Sequence, residues 1–161
     1  MRLQVDILGI FRFLSLAQED SSIPELIEQL QQEFKTTYGL STQARILRLQ
    51  NERNEDVSTH STVGENFTDQ SRIFAIPDPG FCDLLKRSPW QIIGVEEQEF
   101  EVRLELLRRI FGDEANPAVL RSCLVRAGGQ LGKAVAVASY IRPDVLGTSK
   151  KLIFVRPRQD K

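Results

Sequence analysis

The chain has 161 residues, 41% of them hydrophobic and 27% charged, with a net charge of −1. That balance fits one or two small globular domains with their own cores and excludes a disordered chain. No apolar run approaches the roughly 20 residues of a spanning helix, so no membrane partner is expected. Cys82 and Cys123 lie far apart, which makes neither a disulfide framework nor a metal motif; a reducing compartment is expected.

In chain order, Leu3, Val5 and Ile7 alternate with Arg2, Gln4 and Asp6, the period of two of a half-buried strand. The same stretch, Met1 to Ala17, is apolar enough to raise a signal peptide, but Asp6 and Arg12 interrupt the apolar core that one requires. Secretion is therefore not expected, and Asn66-Phe67-Thr68 reads as a chance glycosylation sequon. Leu8-Gly9 reads as a turn, and a second strand follows at about residues 10–17. There Phe11 and Phe13 set one apolar phase and Leu14 and Leu16 another, which predicts a bulge or the strand end near Phe13.

Ser22-Ile23-Pro24-Glu25 has the spacing of a capping box, with proline in a first turn where its missing N–H is harmless. Ile23, Leu26, Ile27, Leu30 and Phe34 then form one apolar stripe, so this helix packs against a single surface and stops at Tyr38-Gly39. Residues 45–49 read as a third strand and residues 71–76 as a last one, with a polar loop and a short turn at Thr62 to Phe67 between them.

Pro77 to Gly80 reads as a linker between a first domain, residues 1–79, and a second, residues 80–161. In the second, a short helix around Phe81, Leu84 and Leu85 ends at Ser88-Pro89. Glu96 to Phe111 reads as a helix with Phe100, Leu104, Leu107 and Phe111 on one face, and Leu106 and Ile110 beside them. Asn116-Pro117 starts another, with Val119, Leu120, Cys123, Leu124 and Ala127 inside and Gly128-Gly129 as its stop. Residues 131–141 fit either a helix, in a helix-turn-helix arrangement, or a strand paired with Leu152 to Val155.

Charge is segregated. Residues 1–116 hold 12 Lys and Arg against 20 Asp and Glu, a balance of −8, whereas residues 117–161 hold 9 against 2, a balance of +7. The basic surface would comprise Arg121, Arg126, Lys133, Arg142, Lys150, Lys151, Arg156 and Arg158. Such a field complements the acidic first domain, keeps the segment soluble, or attracts an acidic protein or nucleic acid. Sequence-specific reading of a major groove is not expected, because residues 131–139 offer only Lys133 and Ser139 as polar side chains.

No residue set carries a catalytic reading. Gly132-Lys133 echoes a phosphate loop, but Ala127 and Ala134 stand where a glycine and a Mg²⁺-binding hydroxyl are needed. His60 is the sole histidine and lies in a polar loop, while Cys123 falls on an apolar stripe. The expectation is a protein that is not an enzyme and carries no cofactor and no metal.

The capped helix, the run Leu47-Arg48-Leu49-Gln50-Asn51 and the run from Ser61 to Phe74 resemble the ubiquitin superfamily over residues 1–78. Within it, Met1 to Val5 and Ile46 to Asn51 are similar to the N-terminal ubiquitin-like domain of fungal nucleolar silencing and cytokinesis scaffolds. The resemblance implies an α+β chain, a ubiquitin-like β-grasp domain followed by a smaller, mainly helical basic module. It implies a protein-docking adaptor or scaffold subunit, in a nuclear or nucleolar complex. After the last strand the chain runs on as Pro77-Asp78-Pro79-Gly80 without a terminal diglycine, so conjugation is not expected. The contacts implied lie at the third strand, Ile46, Leu47 and Arg48, where the register leaves open whether Leu47 or Arg48 takes the central place. Trp90, between elements, either joins a binding site or closes an interface between the two halves. The rival reading is nucleic-acid binding through the basic segment.

Overall fold

A computed structural model describes residues 1–147. The chain divides into two compact units, Met1–Ser88 and Pro89–Lys161.

The first unit is a four-stranded mixed sheet carrying one long helix. Strands β1 (Arg2–Ile7) and β2 (Phe11–Leu16) form an antiparallel hairpin; helix α1 (Ile23–Tyr38) follows, then β3 (Ile46–Gln50), a short helix α2 (Val63–Asn66), β4 (Arg72–Pro77) and helix α3 (Pro79–Arg87). The strand order is β2-β1-β4-β3, with β1 parallel to β4 and β3 antiparallel to it. This is the β-grasp arrangement that the resemblance implies, and the mixed α+β class agrees with it.

Alternation in β1 becomes burial: Leu3, Val5 and Ile7 lie in the core and meet the apolar stripe of α1, Ile23, Leu26, Leu30 and Phe34. The capping box forms as its spacing predicts. The Glu25 amide donates to Ser22 Oγ at 3.3 Å, and Glu25 Oε1 accepts the Ser22 amide at 2.8 Å. These bonds to Ser22, first with its backbone and then with its side chain, hold the Glu25 carboxyl below its usual pKa.

The bulge expected near Phe13 does not exist. Pairing of β2 with β1 runs without interruption from Arg2 opposite Leu16 to Ile7 opposite Phe11. The apolar phase slips because Ser15 holds an inward position, fully buried, where it donates to Glu33 Oε1 at 2.6 Å and accepts from Gln29 Nε2 at 3.0 Å. Leu14 and Leu16 then point to the other side of the sheet.

The segment expected to be a linker is ordered structure. Pro77 ends β4, the Asp78 amide donates to Arg45 O at 2.9 Å, and Asp78 Oδ1 caps α3 by accepting the Phe81 amide at 2.8 Å. Phe81 meets Phe34 at a ring-centroid distance of 5.7 Å, edge to face, and lies 6.4 Å from Phe11. Helix α3 therefore belongs with the sheet, and the first unit closes after Ser88 rather than at residue 79.

In the second unit, α4 (Pro89–Ile92), α5 (Glu97–Phe111), α6 (Pro117–Arg126), α7 (Leu131–Ser139) and α8 (Pro143–Leu146) share a core of Phe100, Leu104, Leu107, Leu120, Cys123, Leu124, Ala134 and Ala138. The helical alternative for residues 131–139 is the one realised; Leu152 to Val155, the other partner considered, lie outside the described residues. Gly129 has φ +84°, and an added Cβ would stand 3.0 Å from Val95 Cγ2, so only glycine fits this turn. Its carbonyl accepts Arg103 Nη1 at 2.7 Å, which ties the α6–α7 turn to α5.

Candidate functional site

With α1 on one face, the other face of the sheet in the first unit carries the side chains that alternation turns outward: Arg2, Gln4 and Asp6 on β1, Arg12, Leu14 and Leu16 on β2, Arg72, Phe74 and Ile76 on β4, and Arg48 and Gln50 on β3.

At β3 the register with β4 is irregular. Ile46 pairs with Pro77, Arg48 pairs with Ile76, and Leu47 is the extra residue between them. An inserted residue bends a strand and re-aims its side chains. Here it leaves both Leu47, 42% exposed, and Arg48 at the surface. Arg48 Nε lies 3.2 Å from Asp56 Oδ1. Beside them a groove of about 430 Å³ runs between β3, β4 and α3, lined by Leu47, Arg48, Ile76, Pro77, Pro79, Cys82, Asp83 and Lys86. Asp83 pairs with Arg87 at 3.1 Å.

The remaining expected contacts fall elsewhere. Ile46 is only 3% exposed, with its amide donated to Gln31 Oε1 at 2.8 Å; its side chain supports the strand from the core and cannot face a partner. Trp90 is half-buried in the second unit, its ring 6.1 Å from that of Phe100. Among the basic residues, Arg126, Lys133 and Arg142 are exposed and Arg121 is half-buried. Arg142 is bound in two places to the Asp144 carboxylate, at 2.7 and 3.2 Å. Lys150, Lys151, Arg156 and Arg158 lie outside the described residues.

Sequence reasoning missed Leu14, Leu16, Phe74 and Ile76 as surface residues. The first two leave a signal, the phase slip, which fits a bulge or a strand end as well as an outward face. Phe74 and Ile76 fall in a continuous apolar strand, where periodicity cannot assign a face.

Burial pushes the Cys123 thiol up to about 11, so at neutral pH it stays protonated and is a poor nucleophile. His60 is exposed in its loop. Among the described residues, no group of three or more His, Cys, Asp and Glu is gathered as metal ligands, and no helix is long and apolar enough to cross a membrane.

Residues 10–79 match the family model described as "Cdc14 phosphatase binding protein N-terminus". The match covers most of the sheet unit and fits the N-terminal ubiquitin-like domain of the cytokinesis and nucleolar scaffolds that the sequence resembles. No curated protein matches the chain. A solved structure titled "Crystal structure of ATBAG1 in complex with HSP70" is similar over 85% of this chain and 97% of that one, at 13% identity and a TM-score of 0.37. A likeness that low carries no argument about function.

Proposed function

We propose that, with residues 10–79 matching a family whose description names binding to Cdc14 phosphatase, the sheet unit is a non-catalytic docking module for a protein partner, a phosphatase of that kind. The chain would serve as an adaptor or scaffold subunit of a nuclear or nucleolar complex. The observation that supports the site is the irregular step in β3, which sets an exposed leucine and an exposed arginine side by side above a groove. An apolar anchor gives a contact its energy by leaving water, and a neighbouring guanidinium gives it direction by pairing with a carboxylate.

The test is titration of the full chain with purified Cdc14 phosphatase. Leu47→Asp or Arg48→Glu should weaken binding about tenfold or more, in line with the loss of one buried anchor or charge pair, while thermal unfolding is unchanged. Full binding by both folded variants would move the site away from β3. The comparisons lend the nucleic-acid rival no support, and of its exposed basic residues Arg142 is engaged by Asp144 while Arg126 and Lys133 stay open. Steeply salt-dependent binding to random-sequence duplex would revive it.

A further inference from the structure

Helix α5 presents apolar side chains on two faces. Phe100, Leu104 and Leu107 enter the core of the second unit, whereas Val102, Leu106 and Ile110 are 57%, 40% and 54% exposed. The exposed three recur every fourth residue, so they form a line along the outside of the helix, about 12 Å from first to last. A surface helix ordinarily carries polar residues there. Among the described residues, nothing covers this line.

The surroundings of the line are acidic. Residues 96–114 hold seven Asp and Glu against three Arg, a balance of −4. All three arginines are engaged within the helix, Arg103 by Glu99 and both Arg108 and Arg109 by Glu105. Among the described residues, no ion pair holds Glu101 beside Val102 or Asp113 beyond Ile110.

The described chain ends near the same end of α5. The Asn116 amide donates to Leu146 O at 2.7 Å, and Gly147 packs so closely on Glu114 that an added Cβ would stand 2.7 Å from its carbonyl oxygen. Glu114 follows Ile110 by four residues. The eight residues after Gly147 can span at most about 28 Å. The path from Glu114 past Ile110 to Val102 is about 26 Å even with the intervening turn drawn out fully.

Residues 148–161 lie outside the described residues, but their sequence suits this surface. Leu152, Ile153, Phe154 and Val155 form an uninterrupted apolar run, with Lys150 and Lys151 before it and Arg156 and Arg158 after it. Five basic residues against Asp160 give residues 148–161 a balance of +4, opposite in sign to that of α5. A tether of four residues from Gly147 to Leu152 sets an effective concentration of about millimolar, so a modest contact suffices. A second copy fits less well. Antiparallel pairing of two such helices across Leu106 sets Arg103 opposite Arg109 and Glu99 opposite Asp113, and parallel pairing sets each charge beside itself.

We propose that residues 152–155 lie along the outer face of α5, running from Ile110 towards Val102, with Lys150 and Lys151 near Asp113 and Glu114 and Arg156 near Glu101. The second unit then carries its own strap, and the basic residues of that strap are spent on α5 rather than offered to a nucleic acid.

The experiment uses the full chain with labelled Ile, Leu and Val methyls and reads NOEs from the Phe154 ring. The ring should contact the Leu106 and Ile110 methyls, and the contacts should persist on dilution. Trypsin cleavage after Lys151 should rise about tenfold in Leu106→Ser and in Phe154→Ser, as expected for the loss of one buried side chain. Glu101→Lys should raise it about twofold or more, and Leu14→Ser in the first unit should leave it unchanged. Absence of the methyl contacts in the folded chain overturns the proposal. Contacts found only between differently labelled chains in a mixed sample also overturn it, because a second copy would then be the occupant, as does a cleavage rate that neither apolar variant changes.

Discussion

Leu8 holds φ at +60° and Gly9 at +71°, with the Ile10 amide closing the turn on Ile7 O at 3.1 Å. Positive φ at both central positions is the geometry of the primed hairpin turns, which asparagine-glycine satisfies best and a leucine satisfies at a cost. Leu8→Asn should therefore stabilise the protein by about 0.5–1 kcal/mol, read as a rise in the urea midpoint. Cys123 differs from Cys82 in burial rather than chemistry: one is enclosed by the second-unit core, the other half-exposed in the groove. Alkylation at pH 8 followed by mass spectrometry should label Cys82 first. Because the folded state holds the Cys123 thiol up to about 11, against about 9 ordinarily, the folded chain keeps that proton after the unfolded chain has lost it. The contribution of this group to stability is intact below pH 9 and declines from there towards pH 11. A Cys123→Ala variant should lose that part of the alkaline dependence.

At the scale of elements, α1 is fixed from both ends. Its start has the reciprocal Ser22–Glu25 bonds, and its end has Gly39 at φ +62° with its amide on Lys35 O. Ser22→Ala leaves an orphan amide and should cost about 1 kcal/mol, measured by chemical denaturation. Lowering the pH should destabilise both the parent and this variant, because the backbone amide of residue 22 that holds the Glu25 carboxylate is present in each. The lowered Glu25 pKa stabilises the fold at pH values above its ordinary carboxyl range, and that contribution disappears as the carboxylate is protonated. The same helix closes the free edge of β2 through Tyr38 and Gln29, so one element supplies the core and protects the sheet from pairing with other chains.

For the whole molecule, the position at which the first unit closes has a direct consequence. A chain ending at Pro79 lacks Phe81, which packs edge to face on Phe34, and also the helix that bounds the β3 groove. A chain ending at Ser88 should unfold cooperatively at a higher temperature than one ending at Pro79, by roughly 12 °C or more. Removing a large buried aromatic costs about 3 kcal/mol or more, and each kcal/mol shifts a domain of this size by about 4–8 °C. Equal midpoints would return the boundary to residue 79.

Periodicity in this chain was enough to place every strand of the sheet and the long helices, because a stripe of 3.6 or an alternation of 2 must face a core whatever that core is made of. Spacing likewise gave the capping box, a contact between residues three apart. What the sequence could not decide were the features that depend on a distant partner. Ser15 is acceptable in the core only because Gln29 and Glu33 arrive over it from α1, and that satisfaction is what turns Leu14 and Leu16 outward. The extra residue at Leu47 exists only relative to β4, and a register between strands cannot be read from one strand. The apparent linker at Pro77 to Gly80 became a capped helix once Phe34 and Phe11 offered Phe81 a place to bury. Local pattern alone thus determined the strands, the long helices of residues 23–38, 97–111 and 117–126 and their order along the chain, whereas tertiary packing decided between helix and strand at residues 131–139 and which leucines and arginines meet the solvent, because exposure is a property of what covers a residue.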